Sequence, residues 1–134
     1  MITAVDTNIL IDVFGADKTF GEKSASALRK CIQEGSLCAC DIVWTETATV
    51  FPSKNAFRQA IEAVGIEFLA MEFDSAIAAA NAWRVYRHAG GKRERVVADF
   101  LIGAHALTQC DRLLTRDRGF YRRYFSTLTI LDPS

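Results

Sequence analysis

Five short apolar runs, separated by longer segments with helical spacing, restrict what this chain can fold into. The runs fall at residues 2–5, 37–40, 66–70, 112–115 and 128–131. Helices are predicted from near Asn8, over 24–34, 42–51, 53–64, 74–88 and 96–108, and in a short stretch before Tyr121. Gly35, Gly65 and Gly90-Gly91 stand as stops, and Asp74 as the cap of the helix it opens. Strands alternating with helices pair in parallel, because the crossover helix returns each strand to the same edge. The expected architecture is a three-layer α/β/α sandwich with a mainly parallel five-stranded sheet. In such sheets chemistry sits beyond the carboxyl ends of the strands, where the strand order reverses.

Half of the 134 residues are apolar, enough for a sizeable core, and no linker or repeat breaks the pattern. One domain over residues 1–134 is therefore expected. No run of eighteen or more apolar residues occurs, which argues against a membrane span, and the first ten residues lack a secretory pattern. Cys31, Cys38, Cys40 and Cys110 include only a C-x-C spacing, so they read as reduced core thiols rather than zinc ligands. A cytoplasmic address is expected on these grounds. Trp44, Trp83 and the nine Phe are assigned to the core, as is His105, held there by a hydrogen bond.

The net charge of zero rules out binding to nucleic acid by bulk charge alone. Its distribution is uneven: residues 1–83 carry a balance of −5 and residues 84–134 one of +5. One basic cluster holds Arg84, Arg87, Lys92, Arg93 and Arg95; the other holds Arg112, Arg116, Arg118, Arg122 and Arg123. Solvated helix faces and phosphate contacts both fit these clusters.

Four carboxylates stand out. Asp6 follows the first strand and Asp117 the fourth, so both emerge at one sheet edge if those strands are central. Glu46 lies a turn into the helix after the second strand, and Asp99 sits in the apolar segment VVADFLIGAHAL. Each has a plainer reading alone: Asp6, Thr7 and Asp117 as caps, Glu46 as a surface residue, Asp99 as an acid in a first helical turn. Together, converging carboxylates repel each other unless a cation joins them. Oxygen ligands without His or Cys suit Mg²⁺ or Mn²⁺. Thr7, Asn8 and Thr115 add polar groups at the same edge, or serve as caps and turn residues. No nucleotide-binding glycine loop, serine-nucleophile elbow or H-E-x-x-H motif is present.

These motifs carry a resemblance. VDTNILID with Asp6 and Asn8, ADFLIGAHA with Asp99, LLTRDRGF with Thr115 and Asp117, and Glu46 after the second strand resemble, in order and spacing, the PIN-domain ribonucleases, most closely the VapC-type toxins of toxin–antitoxin pairs. All four acidic positions are intact, so the resemblance implies an active endoribonuclease dependent on Mg²⁺ or Mn²⁺. It implies metal ligation by Asp6, Asp99, Asp117 and Glu46 and hydrolysis that leaves a 5′-phosphate. It further implies an RNA substrate, a cognate antitoxin protein and a homodimer. Lys92, Arg93, Arg95, Arg116 and Arg118 are the candidates for the RNA backbone. Tyr121 is open to stacking on a base or to a core or dimer contact. Two other readings stay open: a PIN-type RNA-processing nuclease outside toxin–antitoxin systems, and a non-catalytic binding module stabilised by metal. An aspartate phosphotransferase is disfavoured, because it would present a second acid where Asn8 stands.

Overall fold

The apolar runs do form strands, and all of them pair in parallel. The computed structural model describes residues 1–92 and 97–133. In chain order it contains β1 (Ile2–Val5), α1 (Thr7–Phe14), α2 (Gly21–Glu34), β2 (Ser36–Ala39), α3 (Asp41–Ala48) and α4 (Lys54–Val64). Then follow β3 (Ile66–Phe68), α5 (Phe73–His88), α6 (Val97–Gln109), β4 (Arg112–Leu114), α7 (Arg118–Tyr124) and β5 (Ile130–Leu131). The strand order is β3-β2-β1-β4-β5. The chain therefore builds outward from β1 in one direction, returns through α5 and α6, and builds outward in the other. Right-handed crossovers put the helices of the two halves on opposite faces, giving three layers. The packing agrees: α1 lies on α2, while α5 lies on α6 and also meets α7.

The order reverses between β1 and β4, which are neighbours in register from Thr3 opposite Arg112 to Val5 opposite Leu114. Both strands are covered on each face, and Thr3, Val5, Leu113 and Leu114 are buried. On the α5–α6 side, Phe100 is the hub of an aromatic cluster. Its ring lies 5.0–5.5 Å from those of Trp83, Tyr86, Phe120 and Tyr124, so three helices share one buried side chain. Removing such a ring from a core costs about 3–5 kcal/mol. One turn beyond Asp99, Gly103 lets α6 come close to the segment after α7: a Cβ there would lie 2.5 Å from the Phe125 ring.

Several details differ from the sequence reading. The helix after β2 starts at Asp41 and ends at Ala48, short of 51. Glu72, not Asp74, occupies the cap position of α5, and Asp74 lies in the first turn. The run at 128–131 narrows to a two-residue strand. Residue 96, the expected start of α6, lies outside the described residues. Gly65 does end α4, in the left-handed conformation that glycine adopts without steric cost. The core assignment holds for Phe100 but not for Phe20, Phe68 or Phe73, which are exposed. His105 is buried, with a backbone hydrogen bond at Leu69, and burial lowers its pKa. Cys31, Cys38 and Cys40 are buried free thiols and Cys110 is half-buried.

Candidate functional site at the β1–β4 switch point

Asp6 leaves the sheet at the carboxyl end of β1, where the chain turns at once into α1. It caps that helix: its Oδ1 accepts the Thr7 N–H at 2.7 Å. The other oxygen faces β4 and α7. Oδ2 accepts the Thr115 hydroxyl at 2.7 Å, the Tyr121 hydroxyl at 3.1 Å and the Asn8 side-chain N–H at 3.3 Å. All four donors are neutral, and Asp6 is only 4% exposed. Burial pushes its pKa up to about 6; the bonds from Thr115, Thr7 and Tyr121 oppose that rise, and the Asp99 carboxylate adds to it.

Thr115 follows β4 directly and its hydroxyl also accepts the Asp117 N–H at 3.0 Å, which turns the chain into α7. Asp117 holds the cap position of α7 without a side-chain cap bond, so capping does not account for its carboxylate. Thr7 links a third acid: its hydroxyl donates to Glu46 Oε1 at 2.8 Å, while its backbone N–H holds Asp6. Asp99 lies in the first turn of α6, and its charge, with those of Asp6 and Asp117, reaches the buried Tyr121 hydroxyl. Burial, followed by these charges, pushes the Tyr121 pKa far up, so the phenol stays protonated and remains a donor.

The residues fit a hard divalent cation. The donor set is oxygen only, and the central carboxylate is buried beside another carboxylate, with no cation among its hydrogen-bond partners in the described residues. Among the described residues no three acidic, imidazole or thiol groups close into a ready-made ligand cluster. The oxygen-only donors are those of Mg²⁺, an ion that takes one or two protein carboxylates and keeps several waters.

The basic residues divide sharply. Arg112 is buried in the core, where its Nε donates to the Thr3 hydroxyl at 2.8 Å and a terminal nitrogen lies 3.4 Å from Glu34. Arg116 grips the buried Asp12 with two nitrogens, Nε at 2.7 Å and a terminal nitrogen at 3.0 Å, while the Phe20 ring covers its guanidinium at 3.9 Å. The Arg116 backbone N–H donates to Asn8 Oδ1 at 3.2 Å, and Ser24 donates to Asp12 at 2.9 Å. Arg116 thus staples the β4–α7 turn to α1 and α2. Arg118 is half-exposed and 3.6 Å from Asp132, and Lys92 is exposed. Arg93 and Arg95 lie outside the described residues.

Asp12 escaped the sequence reading, and Tyr121, left open between base stacking and a core or dimer contact, is a core residue. Asp12 carries no local signal, because its partner is 104 residues away. Tyr121 is fully buried, which excludes stacking on a base. The signal that could have linked it to the site is its spacing four residues after Asp117, on one side of a helix starting at Arg118.

The pKa of Asp6 has a consequence for stability. Its carboxyl binds a proton more tightly folded, at about 6, than at its ordinary 3.8. The folded state then holds more protons in that window, so this group's contribution to stability is complete below the window. It is lost as pH rises through about 6, a loss of about 3 kcal/mol. Urea unfolding in EDTA between about pH 4 and pH 7 will show this loss for the natural chain but not for Asp6→Asn. Parallel pH curves for the two proteins would refute the burial of a charged Asp6.

Comparison with known proteins bears on what this geometry is for. No curated protein matches the chain. Among solved structures, a chain of the VapBC2 structure from Rickettsia felis, bound to a fragment of promoter DNA, superposes with a TM-score of 0.75 at 16% identity, covering 98% of each chain. A chain of VapBC-1 from nontypeable Haemophilus influenzae gives 0.72 at 19% identity, over 99% of this chain and 98% of that one. A chain of FitAcB from Neisseria gonorrhoeae gives 0.69 at 20% identity, over 99% and 98%. At these identities the likeness concerns the fold. The family model for the PIN domain matches residues 3–126, a span that runs from β1 to just past the helix bearing Tyr121 and takes in all four acids. On that match the chain belongs to the PIN-domain family.

Proposed function

We propose that this chain is an endoribonuclease dependent on Mg²⁺ or Mn²⁺, acting as the toxin of a toxin–antitoxin pair. PIN domains are in general nucleases. The observation that carries the reading is Asp6, a buried carboxylate at the strand-order reversal, held from β4 and α7 by neutral donors and neighboured by Asp99. Asp6 and Asp99 would hold the ion, with Asp117 and Glu46 completing the acidic set directly or through water. When bound, the ion supplies activation of a water for attack at phosphorus and neutralises charge on the phosphate. Thr115 and Asn8 fix the orientation of the Asp6 carboxylate, and Thr7 keeps Glu46 beside it. Lys92 and Arg118, with Arg93 and Arg95 from their place in the sequence, would hold the RNA backbone against the repulsion of the acids. Arg116 has spent two of its nitrogens on Asp12, which leaves one terminal nitrogen for a phosphate.

The toxin reading rests on the solved VapBC and FitAB assemblies that share the fold. The cognate antitoxin and a second copy of this chain are the partners that reading requires. Incubating the protein with total RNA tests the catalytic claim. Cleavage with Mg²⁺ or Mn²⁺, abolished by EDTA and leaving 5′-phosphate ends, is the expected result. Cleavage that survives EDTA, or that leaves 2′,3′-cyclic ends, would sink the metal-assisted mechanism.

A further inference from the structure

We infer that Tyr121 is a positioning residue for the proposed metal site: its hydroxyl closes the Oδ2 side of Asp6 and leaves Oδ1 as the oxygen that meets a cation. The inference rests on the nuclease reading and adds a residue to it.

A phenol buried this completely needs a hydrogen-bond partner, or it costs more than phenylalanine in the same space. The partner here is not a nearby backbone group but a carboxylate oxygen 115 residues away, at 3.1 Å. Asp6 does not need that bond to be satisfied, since Oδ2 already receives Thr115 at 2.7 Å and Asn8 at 3.3 Å. A carboxylate oxygen offers about two lone pairs. With three donors around Oδ2 its capacity is filled. Among the described residues Oδ1 has a single donor, the Thr7 N–H, which leaves one lone pair open.

The hydroxyl also fixes rotation of the carboxylate. Thr115 and Asn8 approach from the β4 turn and from α1, while Tyr121 approaches from α7, so Oδ2 is held from three elements. Turning the carboxylate would break three bonds at once. The Tyr121 ring is itself fixed, 5.1 Å from Phe120 and 6.4 Å from Phe125. A rigid ring of this kind is a precise support for a ligand's orientation.

The test is Mn²⁺ titration by calorimetry on the full chain, with thermal unfolding in EDTA beside it. Tyr121→Phe keeps the ring and removes only the hydroxyl. We expect Mn²⁺ affinity to fall about tenfold with the stoichiometry unchanged, the usual effect of losing a group that orients a metal ligand. Thr115→Val, which strips another donor from the same oxygen, will give a loss that is non-additive with Tyr121→Phe in the double variant. Ile61→Ala removes a buried side chain of α4, outside the Asp6 hydrogen-bond network, and will lower the unfolding temperature without moving the Mn²⁺ affinity. Mn²⁺ bound by Tyr121→Phe within about twofold of the natural chain would overturn the role of Tyr121 and leave the nuclease reading standing. A natural chain that binds no Mn²⁺ would overturn both.

Discussion

Asp6→Asn will lower RNA cleavage by about a thousandfold, equivalent to about 4 kcal/mol of transition-state stabilisation. The substitution is nearly isosteric, so the loss is chemical. Three donors surround Oδ2, and an amide NH₂ in that place would oppose the Asn8 N–H and force the Thr115 and Tyr121 hydroxyls to turn away from their present bonds. The asparagine oxygen is therefore favoured in the Oδ2 position. Its NH₂ then replaces Oδ1, where it faces the Thr7 N–H and offers a cation a hydrogen instead of a lone pair. The cap on α1 is lost as well, at about 1 kcal/mol. The fold survives this, because the variant no longer buries a charge. Initial rates with excess Mg²⁺, measured beside circular dichroism, separate the two effects. A folded Asp6→Asn protein cleaving within about tenfold of the natural chain would remove Asp6 from the mechanism.

Arg116→Met will cost about 3 kcal/mol of stability, because it strands the Asp12 charge in the core. Asp12 is 3% exposed and would keep only the Ser24 hydroxyl. Arg116→Lys will not avoid the loss, since an ammonium cannot reproduce the two-pronged contact. Removing both charges together, Asp12→Leu with Arg116→Met, will cost much less than the two single changes summed. Equal losses in the sum and the double variant, by urea denaturation, would show that the pair is not coupled. The effect on the site is indirect: Arg116 anchors the turn between Thr115 and Asp117, and its backbone holds Asn8. RNA-binding tests therefore belong at Lys92 and Arg118, where the side chains are exposed and a substitution leaves the core intact.

The contrast between Arg112, Arg116 and Arg118 shows where sequence reading stops. All three sit within seven residues in one basic run, and a run of charge reads as a face. Yet Arg112 is inside the core, Arg116 clamps a buried acid, and only Arg118 stands well out. What separates them is the partner each meets, Thr3 and Glu34 for one and Asp12 for another, and those partners are brought up by the sheet. The strands, by contrast, were legible because their apolar runs and the glycine stops are local. Asp6 and Thr115 were legible as strand ends, since parallel strands deliver their carboxyl ends to one edge. The cap of α5 was misplaced from Glu72 to Asp74 because both residues are acidic and stand two apart. Phe73 was misassigned because hydrophobicity alone does not say which side of a helix meets the sheet.

The order in which the ribosome makes these residues adds a last point. Asp6 leaves the ribosome 109 residues before Thr115 and 115 before Tyr121. At ordinary elongation rates the interval is about 5–20 s. Once β2 is made, β1 can pair on one edge, but its other edge stays open until β4 is synthesised. The carboxylate is thus held only by its own helix start while most of the chain is made. A nascent or truncated chain that stops before β4 carries Asp6, Glu46 and Asp99 without the Thr115 and Tyr121 hydroxyls that hold Asp6. On the proposed nuclease reading, the central carboxylate is thus fully supported only once α7 has been made.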